Sequence, residues 1–173
     1  MRFKRYITLL FTLVSLSLSA QNHRGFKVKI GEPLPNFELK LLDQTPINSD
    51  SLKGKVCVIQ FTASWCGVCR KEMPHLEKYV WQRFKNQEFI LLGVDLKETP
   101  KVVERFIKET QISYPIAIDS DGSVFELFTV PKAGVTRNIV IDREGKIIFL
   151  TRLFDEIEFK QMIDVIAKEL EKK

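Results

Sequence analysis

The sequence predicts an α/β domain: a central mixed sheet with helices on both faces and a β-hairpin added at the N-terminal side. Three observations predict it. Two apolar runs, 56–61, rich in β-branched residues, and 88–95, are each followed by a stretch with helical spacing, as buried parallel strands with crossover helices are. Residues 139–142 and 146–150 flank a turn at Arg143-Glu144-Gly145 and read as an antiparallel hairpin. From Asp155, Ile157, Met162, Ile163, Ile166 and Leu170 recur on one face of a closing helix. The resulting order βα-βα-β-(α)-ββ-α belongs to one domain with helices on both faces of its sheet, and 173 residues suffice to bury its core.

The remaining elements fall between these. Residues 31–40 hold Pro33 and Pro35 before alternating apolar positions, the pattern of an edge strand. A turn at Asp43-Gln44-Thr45-Pro46 leads to a short strand from Ile47 that runs into a capped helical turn. Residues 70–80 read as a helix kinked at Pro74. Thr99 is placed to N-cap the next helix, with Pro100 at its first position and Val102, Val103, Phe106 and Ile107 at helical spacing. Residues 114–118 form a short strand ended by Asp119-Ser120-Asp121-Gly122, and 123–128 a brief helix.

The first twenty residues have a different character. Arg2, Lys4 and Arg5 precede an apolar run from Tyr6 to about Leu18, and Ser17, Ser19 and Ala20 precede the polar Gln21-Asn22-His23. This is the layout of a secretory signal peptide, with cleavage expected after Ala20. The run is shorter than the roughly 20 residues of a membrane span; only an uncleaved leader would act as an inner-membrane tether. No cysteine precedes Cys57, which excludes lipid attachment near the cleavage site. The expected organisation is a signal peptide at 1–20, a lead-in at 21–30 and the domain at 31–173, exported to a periplasm. The net charge of +5 falls to +2 once the leader's three cations are set aside, leaving no basic patch for nucleic acid.

The chemistry centres on Trp65-Cys66-Gly67-Val68-Cys69, a C-x-x-C placed after a strand and at the start of a helix. A helix N-terminus offers free N–H groups and a positive dipole end, which favour a thiolate on Cys66 as the attacking nucleophile. Cys69, one turn inward, is the candidate resolving thiol. Arg70, four residues after Cys66, is expected to add positive potential on that face. Gly67 and Val68 supply neither charge nor imidazole between the sulfurs, so the dithiol form is not unusually favoured and the couple reads as a reductant or isomerase. One C-x-x-C provides two of the four ligands of a structural zinc site, so no metal is expected. Cys57, between apolar strand neighbours, reads as a core residue, and His75 as a surface one. Glu72 lies on the helix face of Cys69, where a carboxylate disfavours an adjacent thiolate and can exchange its proton. No nucleotide, flavin or other cofactor motif is present.

These residues, with the string Cys69-Arg70-Lys71-Glu72-Met73-Pro74, resemble the thioredoxin superfamily and, within it, the extracytoplasmic TlpA/ResA branch of thiol-disulfide oxidoreductases. The resemblance spans about residues 31–170. It implies a thioredoxin fold whose N-terminal hairpin is shared with peroxiredoxins, and protein thiol/disulfide substrates such as apocytochrome c. With no cofactor motif present, a membrane thiol is the expected electron donor. It also implies a docking role for Trp65 and a proton-handling role for Glu72. Ordinary thioredoxins bury an aspartate six residues before the first cysteine; here Gln60 stands there and cannot titrate. The family's cis-proline loop aligns on Gly134-Val135-Thr136-Arg137, which puts Thr136 in place of the proline, unless a shifted register brings in Pro131. A cis bond before threonine costs about 3 kcal/mol, so a trans bond is expected, with Thr136 and Arg137 as contacts for the substrate backbone. Two other readings remain. A thiol peroxidase requires proline and threonine where Ile59 and Ala63 stand. A copper-handling chaperone on the same fold would bind Cu(I) through the two thiolates.

Overall fold

The computed structural model describes residues 24–172; the leader expected at 1–20 lies outside the described residues. No helix among the described residues is long and apolar enough to cross a membrane. The strand that leads to the dithiol is β3 (Val56–Thr62), an interior strand buried at all seven positions. It runs parallel to β4 (Phe89–Leu96) and antiparallel to β6 (Arg137–Ile141). With β1 (Glu38–Leu41), β2 (Pro46–Asn48), β5 (Ile116–Asp119) and β7 (Ile147–Arg152) it forms one sheet in the order β2-β1-β5-β4-β3-β6-β7.

Alternation along β3 divides the core. Phe61 points to one face, where its ring lies 5.1 Å from Phe125 and 5.2 Å from Phe128 of α4 (Ser123–Phe128). Gln60 and Thr62 point to the other, towards α1 (Gly67–His75): Gln60 bonds Glu72, and the Thr62 hydroxyl lies 3.3 Å from the Met73 sulfur. The first crossover helix, α1, lies beside the second, α3 (Pro100–Thr110), and the closing helix α5 (Glu156–Glu171) packs on β3 and β7. Pro74 cannot donate within α1. The chain continues past it through a π-helical turn, Leu76–Trp81, into the short α2 (Gln82–Phe84). Gly93 of β4 lies opposite both Gln60 and Ile116, and a Cβ there would come 2.1 Å from Ile116 Cδ1 and 3.3 Å from the Tyr114 ring. Its bare backbone makes room for Tyr114 to reach the centre of the sheet.

Several local expectations are corrected. The strand within 31–40 is not an edge: β1 pairs with β2 on one side and with β5 on the other, and β2 is the edge. The two prolines precede its ladder and so cost it no donor. Ile157 is 72% exposed. The buried stripe of α5 is Phe159, Met162, Ile166 and Glu169, and a residue two before Phe159 points to the opposite side of the helix. Thr99 holds the N-cap position of α3, but its carbonyl rather than its hydroxyl makes the capping contacts, to the N–H groups of Val102 and Val103. The lead-in is packed: Phe26 and Val28 are buried, and residues 25–27 bond the backbone of Phe128 and Val130.

Candidate active site

The loop from β3 to α1 places Cys66 at the N-cap of the helix, with extended φ/ψ of −86° and 107°. Its sulfur is the cap itself, accepting the Cys69 N–H at 3.2 Å. Sγ therefore receives a backbone donor and faces the positive end of α1. Two residues earlier, Ser64 is held on every polar atom. Its N–H and O–H donate to the Glu98 carboxylate at 2.5 and 2.6 Å, and its carbonyl accepts Arg70 Nε at 2.7 Å. Trp65 is 65% exposed beside Cys66, Gly67 is exposed and Val68 half-buried. Arg70 does not lend Cys66 an open charge: its guanidinium pairs with Glu109 at 2.8 Å and lies 4.9 Å from the centre of the Phe106 ring, both on α3. The sequence spacing puts Arg70 near Cys66, but a long side chain follows its partners on the neighbouring helix.

Both sulfurs are free thiols. Cys69 is fully buried, and burial together with its bond to Cys66 pushes its thiol up to about 12. A thiol held this firmly needs an acceptor for its proton, and Glu72 lies one helical turn on. Its neighbours Arg70 and Lys71 are exposed, but Glu72 itself is only 1% exposed. Gln60 Nε2 donates to its Oε2 at 3.0 Å, Thr136 Oγ1 lies 2.9 Å from the same oxygen, and Asn138 Nδ2 donates to Oε1 at 2.7 Å. Burial raises the carboxyl above the usual range, and these three donors only partly offset it. Behind them, Tyr114 O–H donates to Gln60 Oε1 at 2.8 Å, and Asn138 Nδ2 also reaches Thr151 Oγ1 at 2.8 Å. The site thus pairs a helix-capping cysteine that is 7% exposed with a fully buried thiol and a buried carboxyl, an arrangement able to run dithiol–disulfide exchange.

Thr136 and Arg137 are placed differently from expectation. The Val135–Thr136 peptide is cis, not trans. Thr136 is buried, its hydroxyl shared between Glu72 and the Phe61 carbonyl at 3.2 Å, and its own carbonyl accepts the Leu153 N–H. These contacts lie far along the chain, so a local reading cannot weigh them. Arg137 turns inward, donating to the carbonyls of Gly134 at 2.9 Å and Arg24 at 2.7 Å with its guanidinium 4.5 Å from the Phe26 ring centre. Burial, with Arg152 and Arg24 nearby, lowers it to about 10, so it remains a cation at neutral pH. Its side chain is buried and ties the lead-in to the loop at 134–137. The structure brings Cys66, Cys69, Glu72 and Thr136 together, while Arg70 is engaged by Glu109 and the Ser64 carbonyl and Arg137 by the Gly134 and Arg24 carbonyls. The sequence reading missed Ser64, Tyr114, Asn138, Glu98 and Asp95. The one available signal was a polar residue closing an apolar run, as Asp95 does after 89–94 and Asn138 before 139–141. Cys57 is a core residue as expected, its thiol pushed up to about 12 by burial and 3.4 Å from the carbonyls of Leu52 and Lys55.

The AhpC/TSA family pattern matches residues 30–150. A thiol-disulfide oxidoreductase ResA of Bacillus thuringiensis is 30% identical over 122 residues, covering 70% of this chain and 69% of that protein. A candidate protein disulfide isomerase of Bacteroides thetaiotaomicron, solved in solution, superposes with a TM-score of 0.83 at 46% identity, over 86% of this chain and 94% of that one. A candidate thiol:disulfide interchange protein DsbE of Chlorobium tepidum has the same fold, with a TM-score of 0.74 at 23% identity over 83% and 99% of the two chains.

Proposed function

The chain is a thiol-disulfide oxidoreductase of the AhpC/TSA family, and from that premise we propose that it is exported and reduces disulfides in periplasmic proteins through Cys66 and Cys69. The Cys66 thiolate attacks a substrate disulfide, forming a mixed disulfide and expelling one substrate thiolate. The Cys69 thiolate then attacks Cys66 Sγ; the Cys66–Cys69 disulfide forms and the second substrate thiolate leaves. Two electrons pass from the dithiol to the substrate. Glu72 takes the Cys69 proton before the second attack, and the leaving thiolates are protonated by water. A membrane thiol donor then returns the pair to the dithiol. Trp65 offers the exposed apolar surface on which the substrate docks.

The observation that carries this reading is the Cys66 sulfur capping α1 and bonded to the Cys69 amide, which sets both thiols on one turn of helix. The reduction potential of the couple tests it, measured on the leaderless protein in defined thiol/disulfide buffers with free thiols counted by mass-tagging. A value near about −270 mV is expected of a reductant. A value near about −120 mV would make the protein an oxidant and overturn the direction proposed. Absence of a reversible couple would overturn the chemistry.

A further inference from the structure

Behind the loop that carries Cys66 lies a carboxyl group that the dithiol chemistry does not use. Asp95 sits near the end of β4, opposite Thr62 on β3 and Ile118 on β5. It is completely buried, and neither of its oxygens accepts a hydrogen bond from an N–H or O–H donor. The side chain it meets is the Glu98 carboxyl, which it can bond only when one of the two is protonated. An ionised carboxylate left without donors in such a place is costly, and protonation relieves the cost. The group acting on it is a second carboxyl, Glu98, three residues on. Both Glu98 oxygens are committed to Ser64, one to its N–H and one to its O–H.

No other charged group on the surrounding elements serves Asp95. Lys97 packs over Gly122. Asp119, opposite Leu96 on β5, accepts the N–H groups of Val124 and Phe125. Arg70 of α1 is paired with Glu109 of α3, and the other titratable groups near the start of α1 are the two thiols.

We propose that Asp95 and Glu98 hold one proton between them, with Asp95 as donor, and that this acid–carboxylate pair positions the Cys66 loop by fixing Glu98 on Ser64. Both are positioning residues. While Asp95 keeps its proton, Glu98 is oriented from behind and presents both oxygens to Ser64. When the proton leaves, two negative charges stand side by side in a site without a cation, and Glu98 is driven off Ser64. Burial and the Glu98 charge push Asp95 up to about 8, so the release falls just above neutral pH. The inference rests on the dithiol reading only for its effect on Cys66.

The test is a carbon-13 NMR titration of the side-chain carboxyls in the Cys66→Ser/Cys69→Ser protein, with the Ser64 amide followed in parallel. The Asp95 carboxyl carbon is expected to titrate at least two pH units above the free value of about 3.9. The Ser64 amide shifts with the same midpoint, Glu98→Gln moves that midpoint down, and Asp95→Asn abolishes the step at Ser64. An Asp95 carbon titrating near about 4, or a Ser64 amide blind to its step, overturns the proposal. In the protein with its thiols intact, the pH profile of Cys66 alkylation carries a second step at the Asp95 midpoint, lost in Asp95→Asn. Identical profiles in the two proteins overturn the link to Cys66. Loss of the redox reading would leave the carbon titration unchanged, so the two failures are distinguishable.

Discussion

Replacing Asp95 by asparagine measures what a donorless buried carboxyl costs the fold. In the folded chain its pKa is raised to about 8 by burial and by Glu98, against about 3.9 in the unfolded chain. Between those values the native state holds a proton that the unfolded state has released. Stability therefore falls as pH rises through this window, and is flat in this term below about 4 and above about 8. The slope is about 1.4 kcal/mol per pH unit, or about 4 kcal/mol between pH 4 and 7. Local relaxation and water entry reduce such penalties, so an observed effect of about 2–4 kcal/mol is expected. Asparagine keeps the shape, has no proton to lose and can donate to Glu98. The unfolding free energy of Asp95→Asn minus that of the parent protein should grow by this amount from pH 4 to 7 and level off above 8. Glu72 and Asp119, also raised by burial, are common to both proteins and cancel in the difference. Urea unfolding of both reduced proteins at one-unit pH steps measures it. A difference that is constant with pH, or that shrinks as pH rises, refutes the reasoning.

Three further outcomes are expected. Glu72→Gln removes the acceptor for the Cys69 proton and should slow decay of the mixed disulfide about 100-fold. Alkylation of Cys66 should keep its rate; rapid-quench mass analysis separates the two, and unchanged decay rules out the proton-transfer role. Gly93→Ala forces a methyl to within 2.1 Å of Ile116 Cδ1 and against the Tyr114 ring. It should cost about 1–3 kcal/mol in chemical denaturation, as overpacked cores do. Cys57→Ala should cost about 1 kcal/mol of stability and leave the potential of the Cys66–Cys69 couple unchanged, since Cys57 lies at the far end of β3 from the site.

The strands and crossover helices were legible because burial on both faces leaves continuous apolar runs, and 56–61, 89–94 and 139–141 are such runs. The dithiol was legible because its chemistry requires a fixed spacing at a helix start. What escaped depends on partners distant in the chain. The pairing of β1 with β5 joins residues some 77 apart in the sequence, and its local pattern is that of any half-buried strand. Arg137 is directed by Arg24 and Gly134 carbonyls, and Arg70 by Glu109, none of which a charge pattern ranks above solvent. Glu72 was assigned to the face of Cys69, but its depth was not visible from a charged run of three; its donors come from β3, β6 and the preceding loop.

The placing of Glu72 on the same helix as Cys69, with an amide at Gln60 on the strand beside it, has a mechanical consequence for the proton transfer proposed. Cys69 and Glu72 ride on one rod, three residues or about 4.5 Å apart along its axis. Their backbone spacing is set by the hydrogen-bonded helix and is indifferent to how the helix slides on the sheet. The strands contribute only amides and hydroxyls around the carboxylate. Substitutions in the sheet can therefore tune the proton affinity of the acid without altering its reach to the sulfur. In a protein whose acid stood on the strand, every repacking between layers would change both at once.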